Sequence, residues 1–130
     1  MNDSTLTIKT SRPALRVKRG KEMSINRKAL YALGTPENIL FWWSESQRVL
    51  LIGVAPEEAH LSFKISDRYY NTKTGFRIEK SNFLQVFLKI AGWHHDMVYA
   101  VTGEYISYLN MVAFRLDDAV ELGAEAGTDE

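Results

Sequence analysis

Apolar and polar residues alternate over residues 6–9, where Leu6 and Ile8 oppose Thr7 and Lys9, and again over 14–18, where Leu15 and Val17 oppose Arg16 and Lys18. A period of two predicts half-buried strands, each with one wet face. Arg12-Pro13 separates the two strands, because proline lacks the amide that a sheet interior needs. Residues 23–25 read as a short strand, and Asn26 is a helix N-cap whose side-chain oxygen accepts an otherwise unpaired amide. A helix of about two turns is expected over 27–33, with Ala29, Leu30 and Leu33 on its apolar stripe. Gly34 suits the left-handed C-terminal position and Pro36 prevents continuation.

Two strands, 39–43 and 49–54, flank the polar turn 44–48 and predict a hairpin. Both are apolar at consecutive positions rather than alternating, so each face of the hairpin calls for a cover: its own unit on one side, and a second unit, a second chain or a ligand on the other. Pro56-Glu57-Glu58-Ala59 can start a helical turn. Leu61, Phe63 and Ile65 alternate with Ser62, Lys64 and Ser66 as another strand, and a tyrosine pair and a polar turn fill 67–75.

A weaker copy of the 20–34 stretch then returns at 75–92. Phe76-Arg77-Ile78 matches Met23-Ser24-Ile25, and a helix starts after Ser81 or Asn82. Phe83, Val86, Phe87 and Ile90 lie at i, i+3, i+4 and i+7 as its expected apolar face, with Asn82, Gln85 and Lys89 on the wet side, and Gly92 closes it. A second hairpin is expected from 97–101 and 110–116 around 103–108, followed by a short helix over 117–123. The expected organisation is one compact domain over 1–130 made of two pseudo-repeats, 6–60 and 61–123, with a disordered acidic tail at 124–130.

Composition changes this picture in two ways. With 45% hydrophobic residues among 130 the chain can build a core, and with no cysteine it has neither disulfides, thiolate zinc sites nor a cysteine nucleophile. No apolar run approaches 18 residues and no signal core follows the start, so the expected location is cytoplasmic, away from membranes. Sixteen bases balance sixteen acids, but unevenly along the chain. From Lys9 to Lys28 the acid Glu22 stands alone against Lys9, Arg12, Arg16, Lys18, Arg19, Lys21, Arg27 and Lys28, whereas from Asp117 onward there are only acids. Such asymmetry suggests a basic face for an anionic partner, or else the solvated side of a strand. The candidate phosphate-contacting residues are therefore Arg12, Arg16, Lys18, Arg19, Lys21, Arg27 and Lys28.

The run from Gly20 to Gly34, with Ile25 ending its strand, Arg27 and Lys28 opening its helix and Leu33-Gly34 before the hairpin, resembles the AbrB/MazE/MraZ swapped-hairpin group of bacterial DNA-binding proteins. Two such units in one chain look most like the MraZ type. The resemblance implies an α+β, mostly β fold, a swapped-hairpin AbrB-like barrel of two tandem β-α-β-β units with short helices. It also implies transcriptional regulation by duplex DNA binding, often as a dimer or larger ring, with Lys18, Arg19, Lys21, Arg27 and Lys28 on phosphates. The alternative is a non-catalytic interaction protein, an oligomeric adaptor or antitoxin-like partner, using the apolar hairpins to bind a second copy or another protein.

Other constellations carry less chemistry. Neighbours on a strand point to opposite faces, so Trp42 and Trp43 offer one core and one partner-facing ring, or two buried rings if the hairpin is covered twice; the doubly covered hairpin favours two buried rings. His94-His95-Asp96 diverges along extended chain and reads as the loop after Gly92, with Trp93 packed on the helix. No nucleophile elbow, phosphate-binding glycine loop, zinc-protease helix or dinucleotide fingerprint occurs. No metal, no cofactor and no catalysis are expected.

Overall fold

A computed structural model of the chain describes residues 12–56, 62–71, 75–79 and 82–122. The strand expected at 6–9, most of the helical turn expected at 56–59 and the acidic tail lie outside the described residues. In order, the elements are β1 (Ala14–Lys18), β2 (Glu22–Ile25), α1 (Arg27–Ala32), β3 (Asn38–Ser44), β4 (Val49–Val54), β5 (Phe63–Lys64), α2 (Asp67–Tyr70), β6 (Phe76–Glu79) and α3 (Asn82–Ala91). There follow β7 (Val98–Thr102), β8 (Glu104–Ile106), β9 (Met111–Arg115), a 3-10 turn (Leu116–Asp118) and β10 (Val120–Glu121).

The fold is α+β and mostly β, in two five-stranded antiparallel sheets rather than one closed barrel. The first has the order β10-β7-β1-β2-β6 and the second β5-β3-β4-β9-β8. Closure is lost at the short outer strands. Ser66 caps α2 and ends β5 after two residues, and β10 is also only two residues long.

Hydrophobic alternation sets which face of each sheet is dry. Leu15, Val17, Met23, Ile25, Phe76, Ile78 and Val101 of the first sheet, with Ile39, Leu50, Ile52, Val112 and Phe114 of the second, join one buried cluster. Each such side chain contributes about 1.5–3 kcal/mol on burial. Ala29 and Leu30 of α1 and Leu84, Phe87, Leu88 and Ala91 of α3 complete it. The buried stripe of α3 is therefore turned from the expected one: Val86 is 47% exposed, and Phe83 is only partly buried. Phe83 instead lies in an aromatic cluster, 4.7 Å from Phe41 and 5.4 Å from Trp43 between ring centroids. Those rings project from the second sheet and draw the helix round.

β2 and β6, whose sequences match, pair directly, with Met23 opposite Ile78 and Ile25 opposite Phe76. Gly75 makes that approach possible. At φ 73° it adopts the left-handed conformation, and a Cβ there would overlap the Ile25 carbonyl oxygen.

The second hairpin differs from its expected form. Residues 98–106 run through β7 and β8 and change sheets at Gly103, so β7 pairs with β1 and β10, while β9 pairs with β4 and β8. The corner needs a glycine because a Cβ would sit 2.5 Å from the Phe114 ring. The short helix expected at 117–123 is reduced to the 3-10 turn, since Val120 pairs with Ala100 instead. Conversely, α2 occupies the stretch expected to hold only a turn. Ser66 accepts from the Arg68 amide and Asp67 stands in the first turn, where the helix dipole favours an acid.

Candidate nucleic-acid interface

Burying Leu15 and Val17 turns Arg16 and Lys18 to the outward face of the first sheet. Register then decides their neighbours. Arg16 stands opposite Ser24, and Ser24 stands opposite Arg77 of β6, so one row crosses three strands as Arg16, Ser24, Arg77. The next row is Lys18, Glu22, Glu79. The wet face of β1 is basic, as its alternation predicts, but the sheet places two carboxylates beside it. Glu22 and Arg77 are 3.8 Å apart, with side chains 23% and 42% exposed, a geometry worth at most about 1 kcal/mol.

The candidate bases spread along the β1–β2 hairpin rather than converging on one point. Arg19 and Lys21 belong to the turn between the strands, where Arg19 (φ 53°) precedes Gly20 and the Lys21 amide donates to the Lys18 carbonyl at 3.0 Å. At the opposite end are Arg12, exposed, and Arg27 and Lys28 at the start of α1. Five residues of β1 span roughly 13 Å at a strand rise of about 3.3 Å per residue.

Asn26 organises that second end. Its Oδ1 accepts from the Ala29 amide at 3.1 Å, capping α1, and from the Ala14 amide at 3.0 Å. Its Nδ2 donates to the Arg12 carbonyl at 2.8 Å. The cap expected from sequence is thus also the tie that holds the chain before β1 against the helix start. With the cap supplied internally and only six residues in α1, its N-terminus is not an independent phosphate site. Arg27 is half-buried and donates to the Tyr70 carbonyl at 3.4 Å, whereas Lys28 is exposed. Tyr31 stacks on Tyr70 with centroids 6.1 Å apart. The Tyr70 hydroxyl donates to the Pro36 carbonyl at 2.6 Å. Its pKa is pushed up to about 12 by burial first, then by the negative charges of Asp67 and ionised Tyr31.

No protein-family model, curated protein or solved structure matches the chain.

Arg77 is the residue of this face that charge clustering missed. Its signal was present: the match of Phe76-Arg77-Ile78 to Met23-Ser24-Ile25 puts Arg77 in the place of Ser24, and antiparallel pairing lays the two side by side.

The tryptophans divide. Trp43 packs 5.9 Å from Phe87, while Trp42 is 41% exposed on the outward face of the second sheet, so the doubly covered hairpin is not what forms. Trp42 stands opposite Leu51, and a Cβ on neighbouring Gly53 would sit 3.0 Å from its indole and 3.2 Å from Met111. His94 and His95 lie in the exposed loop after α3, and Trp93 packs on Phe87 at 5.3 Å and on Tyr99 at 4.5 Å. Among the described residues no three His, Cys, Asp or Glu side chains converge as metal ligands. No helix among them is long and apolar enough to cross a membrane.

Proposed function

We propose that this chain is a non-catalytic DNA-binding regulator that meets duplex DNA with the outward face of its first sheet. The observation that carries the reading is the row Arg16, Ser24, Arg77, which brings bases from both halves of the chain onto one face. Arg12 and Lys18 extend it along β1, and Lys21 stands at the turn. Antiparallel strands with outward bases can enter a groove or follow phosphates along its wall. A tandem swapped-hairpin arrangement of AbrB/MraZ type belongs to the same proposal and draws support from the direct pairing of β2 with β6.

The test is a fluorescence-anisotropy titration of duplex DNA at several salt concentrations. Four phosphate contacts, from Arg12, Arg16, Lys18 and Arg77, give a slope of log K against log salt of about −3.5. Replacing Arg16 and Arg77 together by alanine should reduce that slope by nearly two while leaving the far-ultraviolet circular dichroism unchanged. Absence of salt-sensitive binding at micromolar protein rejects the reading.

A second reading, a protein-interaction module, is favoured by a different observation. The outward face of the second sheet carries the exposed Trp42 beside the partly exposed Leu51 and Met111. Sedimentation that shows self-association in the wild type and its loss in Trp42→Ser, with no DNA binding in either, supports this reading instead.

A further inference from the structure

We infer that His95 is a further phosphate contact of the candidate interface, one that engages as the protonated imidazolium. The inference rests on the DNA-binding reading and adds the loop after α3 to its surface. That loop lies against the β1–β2 hairpin because the β1–β7 ladder runs past the ends of both strands. Lys18 pairs with Val98, and beyond that pair the Arg19 amide donates to the Met97 carbonyl at 2.9 Å. The same register carries residues 95 and 96 alongside Gly20 and Lys21. Gly20 is accordingly buried although it lies in a turn, and a Cβ there would sit 3.0 Å from His95 Nδ1. His95 itself is exposed, so the hairpin supports its ring without enclosing it.

The loop is held in place from two elements. The His94 amide donates to the Tyr99 hydroxyl of β7 at 2.9 Å, and Trp93 stacks on the Tyr99 ring. From α3, the Gln85 side chain donates to the Gly20 carbonyl at 3.4 Å. Around His95 the hairpin carries Lys18, Arg19 and Lys21 with the acid Glu22, and the loop carries His94 and Asp96. The groups reaching it from α3 and β7, Gln85 and Tyr99, are an amide and a phenol. Bases therefore outnumber acids at this end of the hairpin. Histidine is the side chain that ordinarily changes charge between about pH 5 and 8. Protonation gives the ring a second N–H donor as well as a positive charge. A phosphate beside it favours that charged form, so proton uptake and DNA binding strengthen each other. The added cation also offsets Glu22, whose row lies at the same end of the sheet.

Anisotropy titrations of a mixed-sequence DNA duplex over a range of salt, run at about pH 8 and at about pH 5.5, test the inference on the full chain. The wild type should show a slope of log K against log salt that is steeper by about 0.9 at the lower pH, the increment of one phosphate contact. His95→Gln should keep the shallower slope at both pH values, and His95→Arg, charged throughout, should show the steeper slope at both. His94→Gln should behave like the wild type. His95 is exposed, so these substitutions leave the fold in place. A wild-type slope that does not change with pH overturns the inference and leaves the DNA-binding reading standing. So does a pH-dependent steepening that survives in His95→Gln. Absence of salt-sensitive binding at either pH rejects the DNA-binding reading, and the inference falls with it.

Discussion

Replacing Asn26 by alanine removes three hydrogen bonds with one substitution: those from the Ala29 amide, from the Ala14 amide and to the Arg12 carbonyl. Loss of the helix cap alone costs about 0.5–2 kcal/mol. The Ala14 amide is part-buried at the end of β1, and leaving it unpaired costs about 1–3 kcal/mol, whereas the exposed bond to the Arg12 carbonyl is replaced by water at a cost of about 0.5 kcal/mol. Shared relaxation keeps these terms from adding fully, so the expected loss is about 2–4 kcal/mol, a large part of a domain's total stability. Urea unfolding monitored by tryptophan fluorescence measures it, and the melting temperature should fall by roughly 8–15 °C. Asn26→Asp separates the roles. It keeps both acceptor functions and loses only the donor to Arg12, so it should cost less than half as much as alanine. A loss below about 1 kcal/mol for Asn26→Ala, or equal losses for the two variants, would refute the idea that one side chain holds the helix start and the entry to β1 together.

Other outcomes follow from single sites. Arg48→Ala should destabilise by about 1.5–3 kcal/mol in the same urea assay, because its guanidinium donates to Asp117 at 2.5 Å and to the Ala91 carbonyl at 2.8 Å, joining the β3–β4 turn to the end of α3. Gly75→Ala should cost more than about 3 kcal/mol, combining a left-handed residue with backbone overlap at Ile25; Gly103→Ala, whose Cβ would crowd chiefly the Phe114 ring and also lie 3.0 Å from the Ala113 carbonyl oxygen, should cost about 1–3 kcal/mol. Tyr70 titrates near 12, against about 10 when unfolded, so the unfolded chain sheds that proton first. Its stabilising contribution is complete below pH 10 and is lost as pH rises toward 12, which an ultraviolet tyrosinate titration should show as one late phase that Tyr70→Phe removes.

Local signals explain how much of this fold was legible. β4 spans the same residues as its expected strand, and α1 keeps its cap, its buried Ala29 and Leu30 and its glycine end. Those features depend on neighbours in the chain. Apart from α2, whose Ser66 cap is itself a local signal, the departures depend on distant partners. β7 carries the apolar pattern of a hairpin strand and nothing local says that β1 is its mate, so its pairing with β9 was expected and did not form. Val86 fits the helical period as well as Leu84 does, and only the aromatic cluster around Phe83 decides which of them is buried. For the candidate interface, alternation was enough to turn Arg16 and Lys18 outward. Which acids and bases became their neighbours was settled by strand register.

That register also bears on what a net charge of zero means for the proposed interface. The row of Arg16 and Arg77 and the row of Lys18, Glu22 and Glu79 lie two residues apart along the strands, about 6.6 Å. This is shorter than the screening length of about 8 Å at physiological salt, so a phosphate held by the first row still feels the carboxylates of the second. Attraction at the face is therefore weaker than its bases alone would give, and affinity by itself is a poor measure of how many phosphates are held. The salt slope is the better one, because it counts counterions displaced from the DNA rather than the balance of charge on the protein. Weak binding with a slope near −3.5 belongs to a face that grips phosphates beside its own acids. Weak binding with a slope near zero belongs to a solvated strand.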